Sequence, residues 1–120
     1  MNSYQLGNVE ARFADIIWKN EPISSSKLVE MSEELLGWKK STTYTVLKRL
    51  CEKGIFQNNK GCVTSLISKS DFCSLQSEKF IEETFDGSLP SFLAAFTSRK
   101  ALTAEEVSLL RRMIDEYEVK

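Results

Sequence analysis

The chain has no histidine, two prolines and three cysteines among its 120 residues. Without histidine it lacks the commonest general base and the commonest metal ligand. It also has no glycine-rich nucleotide loop, so a small hydrolase would have to rest on scattered carboxylates or on Cys51, Cys62 or Cys73. Those thiols stand eleven residues apart, which matches neither paired CxxC metal ligands nor an even-numbered disulfide framework. Isolated, semi-buried thiols in a reducing compartment are the expectation. No window approaches the roughly 18 apolar residues of a membrane span, and no basic, apolar and small-residue leader opens the chain. A cytoplasmic protein that is not an enzyme follows, with no catalytic residue, cofactor or metal.

What is present is enough to fold. A 42% hydrophobic content with 10% aromatics can build one modest core. The net charge of −1 hides a division: residues 1–70 carry ten Lys/Arg against seven Asp/Glu, and residues 71–120 carry six against ten. The first part can face phosphate, whereas the acidic, apolar second part suits a different role.

Along the chain, Val9, Phe13, Ile16 and Ile17 fall on one helical face between about Gly7 and Lys19, and Pro22 ends that helix. Ser24 or Ser25 can cap a second helix running through Leu28, Met31 and Leu35 to a stop at Gly37. A third helix is expected from a cap at Ser41, through Thr43, Val46, Leu47 and Leu50, to Gly54. Ile55–Gln57 and Cys62–Ile67 then flank the turn-forming Asn58-Asn59-Lys60-Gly61 and read as a short hairpin. The predicted fold is mainly α with a small β-hairpin, comprising a winged helix-turn-helix head over 1–70 and a helical dimerisation segment over 71–120. In that segment Gly87 and Pro90 are expected to close one helix, and Thr103 with Glu106 to form a capping box opening the last.

The third helix concentrates Lys39, Lys40, Lys48, Arg49 and Lys53 against Glu52 alone. Ser41, Thr42, Tyr44 and Thr45 add hydroxyl groups that can reach base edges or phosphates, and Thr42, Thr45 and Arg49 share a face at about 100° per residue. Lys40, Lys48 and Arg49 fit phosphate better than bases. Arg49 can instead pair with a carboxylate of the first or second helix. Lys60, at the hairpin tip, can touch the backbone or the minor groove. Trp18 and Trp38 can each close the core or anchor the chain near phosphate.

Phe80, Phe85, Leu89, Phe92, Leu93 and Phe96 are too many for a short acidic segment to bury alone. Val107, Leu110, Ile114 and Tyr117 add a narrow apolar stripe on the final helix. A symmetric homodimer formed through Phe92, Leu93, Phe96 and this stripe would cover them, and would match an operator of two-fold symmetry.

The stretches LGNVEARFADIIW, SSSKLVEMSEELLGWKKSTTYTVLKRLCEKGIF and GSLPSFLAAFTSRKALTAEEVSLLRRMID resemble the penicillinase repressor family, which includes methicillin-resistance and copper-transport repressors. The likeness covers nearly the whole chain. Its most specific parts are S-T-x-x-T-x-L-x-R-L at Ser41–Leu50 and Ala94-Ala95-Phe96 before the final helix. The resemblance implies a homodimer that blocks promoters by placing its third helix in successive major grooves of double-stranded operator DNA. For some relatives it further implies a membrane-bound sensor protease, encoded nearby, that triggers cleavage at the position of Ala95 and Phe96. The proteolysed members carry asparagine where this chain has Ala95, and no cysteine follows Cys73, which excludes the copper-binding cluster of the copper-responsive branch. The wing is also shorter and less aromatic than in many relatives. The alternative function is a winged helix used only for protein–protein contact.

Overall fold

The computed structural model describes residues 6–120. Helix α1 spans Asn8–Asn20 and buries Phe13, Ala14, Ile16 and Ile17, whereas Val9, expected on the same face, lies in the terminal turn and stays 48% exposed. Ser24 caps α2 (Ser25–Leu36) by accepting from the Lys27 amide, and Gly37 closes it in the left-handed region at φ 70°. Helix α3 spans Lys40–Glu52. Its N-cap is Lys39 rather than the expected Ser41, which sits inside the first turn, and Lys39 gives no side-chain cap.

The hairpin is present as β2 (Phe56–Asn59) and β3 (Cys62–Ser65). The turn is tighter than the four polar residues suggested: Asn59 pairs with Cys62, leaving Lys60 and Gly61 at φ 53° and 84° as a two-residue turn of the type that suits twisted strands. The Asn58 side chain accepts from the Gly61 amide at 3.0 Å and stiffens the tip. A third strand, β1 (Ile23–Ser24), pairs with β3 to give the order β1-β3-β2. Two residues show no alternation to read, so this strand escaped sequence patterning.

One core serves these elements: Phe13, Ile17, Leu28, Leu50, Ile55, Phe56 and Val63 are fully buried. Trp18 and Trp38 both take the core role. Trp18 packs on Phe56 and Phe72 and donates its indole N–H to the Ile67 carbonyl at 3.1 Å, and Trp38 lies 5.1 Å from Phe13 between ring centres.

Helix α4 spans Lys69–Phe85, α5 Leu89–Arg99 and α6 Ala104–Glu116. Asp86 and Gly87, both left-handed, end α4, but Pro90 stands in the first turn of α5 and opens a helix instead of closing one. The capping box at Thr103 and Glu106 forms, with bonds of 2.9 and 3.0 Å. The chain divides into two compact units between Glu78 and Lys79, inside α4. This is eight residues beyond the expected break at 70/71, and the reason is physical. Phe72 is 4% exposed and completes the core of the first unit, while Lys69 pairs with Asp15 of α1 at 2.7 Å.

Candidate nucleic-acid interface

Helix α3 is two-sided. Thr43, Val46, Leu47 and Leu50 are buried, and Lys40, Ser41, Thr42, Thr45, Lys48 and Arg49 are exposed. The buried side anchors the helix backbone, so the exposed positions are presented from fixed places along it. Its polar groups are not equivalent. The Thr45 hydroxyl donates to the Ser41 carbonyl at 2.9 Å, so toward solvent it presents lone pairs and a methyl group. Thr42 makes no side-chain hydrogen bond among the described residues and keeps both donor and acceptor available.

Two more of the expected contact residues have partners. Tyr44 is half-buried and donates its hydroxyl to Ser25 Oγ at 3.2 Å, and Ser25 in turn donates its amide to the Gly61 carbonyl at 2.8 Å. The third helix, the start of the second and the tip of the wing are thereby tied together. Lys60 rides on that tip, exposed. Arg49 takes its alternative partner: Nη1 lies 3.1 Å from Glu10 Oε2 of α1. Partial burial pushes the Glu10 carboxyl up, but the Gly7 amide, Arg49 and Lys53 outweigh it and hold the group below the usual carboxylate range. Glu10 was not named from sequence, and Ser25 was read only as a possible helix cap. Glu10 did carry a signal, as an acid in the first turn of a helix, where its Oε1 accepts from the Gly7 amide at 3.2 Å.

The cysteines do not behave uniformly. Cys51 is half-buried as expected, but Cys62 and Cys73 are exposed. Burial pushes the Cys51 thiol up, so it stays protonated and is poorly suited to act as a nucleophile. Among the described residues no group of three or more metal-binding side chains gathers, and no helix is long and apolar enough to cross a membrane.

The second unit presents a different surface. Phe80, Phe85 and Phe92 meet edge to face at 5.6–6.1 Å between ring centres, with Phe96 6.1 Å from Phe92. None of the four is buried, and Phe92 and Leu93 are half-covered. The expected stripe along α6 is only partly covered: Val107 and Leu110 are half-buried, Ile114 is 70% and Tyr117 66% exposed. Ala95 and Phe96, the candidate cleavage point, lie within α5, where the Ala95 carbonyl accepts from the Ser98 hydroxyl at 2.7 Å.

Three helices closed by a small antiparallel sheet, with a polar and cationic face on the third helix, define a winged helix-turn-helix protein. Residues 6–116 match the family model described as penicillinase repressor, and the chain belongs to that family of transcriptional repressors. It is 27% identical over 117 residues to the penicillinase repressor of Bacillus licheniformis, covering 94% of this chain and 91% of that protein. It is 26% identical to the methicillin resistance regulatory protein MecI of Staphylococcus aureus and 25% identical to that of Mammaliicoccus sciuri, each match covering 94% of this chain and 95% of the relative.

Proposed function

We propose that this repressor acts as a homodimer on a palindromic operator, with α3 of each protomer in the major groove and the second unit holding the protomers together. The observation that carries the reading is the fixed outer face of α3, where Thr42 and Thr45 stand between the cations Lys40 and Lys48. The threonines have the reach and polarity for base edges. With its hydrogen committed to Ser41, Thr45 is suited to accept from an adenine or cytosine amino group or to pack on a thymine methyl. Lys40, Lys48 and, on the wing, Lys60 supply sequence-independent phosphate contacts. Tyr44 acts from behind by fixing the wing against α3 through Ser25.

The dimer follows from the bare apolar groups of the second unit, which a second copy covers at no cost in new sequence. Release by a membrane-bound sensor protease cutting at Ala95 and Phe96 would require α5 to unwind locally, because an α-helical bond does not fit an extended protease cleft.

The test is a titration of operator and random duplexes. Thr42→Ala and Thr45→Ala should each lower operator affinity by about 1–3 kcal/mol while leaving random-duplex affinity unchanged. Lys48→Ala should weaken both alike. Equal losses on both duplexes for the threonine variants would move base reading to another element.

A further inference from the structure

The Glu10–Arg49 pair is poorly explained as a stabilising device. The Arg49 side chain is 53% exposed although that of Glu10 is only 21% exposed, and an ion pair whose cation stands in water contributes modestly to folding. The carboxylate is nevertheless carefully held. Its Oε1 is fixed by the Gly7 amide at the start of α1, and this leaves Oε2 aimed at the guanidinium on α3 at 3.1 Å. Arg49 shares its helical face with Thr42 and Thr45, the face that the proposed function gives to DNA. A carboxylate oxygen on a guanidinium N–H occupies the place that a phosphate oxygen of DNA would take.

Resting on the DNA-binding reading, we infer that Glu10 is an internal competitor for DNA phosphate at Arg49 and thereby limits the sequence-independent part of the affinity. In the free protein Arg49 is neutralised by Glu10. On DNA, Arg49 either stays with Glu10 and adds no phosphate contact, or exchanges to phosphate and leaves a carboxylate facing a polyanion. Both outcomes reduce net counterion release relative to a chain with an uncommitted arginine. The restraint acts on every duplex, so it favours sites where base contacts add to the phosphate term.

The experiment compares wild type, Glu10→Gln, Arg49→Gln and the double variant on random and operator duplexes over a range of salt. Glutamine preserves the capping geometry at Gly7, and circular dichroism and thermal melting confirm that each variant folds. Glu10→Gln should bind random duplex about two- to fivefold more tightly and steepen the dependence of log affinity on log salt by up to about one unit per head. Both gains should vanish when Glu10→Gln is made in the Arg49→Gln background. An unchanged or weakened affinity in Glu10→Gln would make the pair a buttress and overturn the inference. So would an equal gain in both backgrounds, which would reduce Glu10 to a general charge. Wild type with no salt-dependent duplex binding would instead overturn the DNA reading on which the inference stands.

Discussion

The two units of the chain have the same kind of apolar residues and treat them in opposite ways. In the first, Phe13, Phe56, Leu28, Leu50 and Val63 are sealed from water by neighbours drawn from helices and sheet alike. In the second, no hydrophobic side chain among the described residues is buried, and Leu109, Met113, Ile114 and Tyr117 are all more than half exposed. A sealed core makes a head that folds by itself. Exposed aromatic and aliphatic groups at this density fit the proposed dimer surface. The charge follows this division only weakly, with ten Lys/Arg against nine Asp/Glu in the first unit and six against eight in the second. In the proposed dimer this contrast becomes a division of labour, with the first unit carrying the DNA face and the second joining two such faces.

The contrast breaks most sharply at α6. Replacing Leu110 and Ile114 together by Asp puts two unpaired carboxylates into the proposed interface, at a cost of several kcal/mol on the order of that for a broken buried pair. Sedimentation should show monomers at micromolar concentration, while the near-ultraviolet signal of Trp18 and Trp38 stays native because neither replaced residue belongs to the head core. Affinity for a palindromic site should fall steeply as the second half-site loses its tether. Persistence of the dimer with unchanged affinity would remove α6 from the interface.

The smaller effect sharpens the other side of the comparison. Ser32 is fully buried on α2, and its hydroxyl finds no hydrogen-bond partner among the described residues. An unsatisfied buried hydroxyl carries a desolvation penalty of about 1–3 kcal/mol, set against the small void left by removing one oxygen. Ser32→Ala should raise the stability of the head by about 1 kcal/mol in chemical denaturation, with the oligomeric state untouched. A loss of stability would show that the hydroxyl is satisfied in solution, for example by a trapped water.

Much of the fold was legible because its signals are local. Helical spacing marked Phe13, Ile16 and Ile17, Ser24 marked a cap, Gly37 and Gly54 marked stops, and Thr103 with Glu106 marked the final helix. What escaped depends on contacts distant in sequence. Strand β1 exists only because β3 returns beside it, whereas Pro90 is the exception, a local signal that suits the start of a helix behind the Ser88 cap as well as the end of one. The same held at the site. The outer face of α3 followed from periodicity, but Arg49 and Tyr44 are defined by Glu10 and Ser25, 39 and 19 residues away. A cationic pattern gives the number of charges on a helix without showing which of them already have a partner.

The central claim, that two heads joined through the second unit read a two-fold operator, is tested most directly by the stoichiometry of the wild-type chain on a palindromic duplex. Analytical ultracentrifugation across a titration should show a dimer in free solution at micromolar concentration. It should also show two chains on each duplex, with affinity falling steeply as salt rises. A monomer in free solution that loads one chain per duplex, or a dimer indifferent to duplex DNA at low salt, would contradict it.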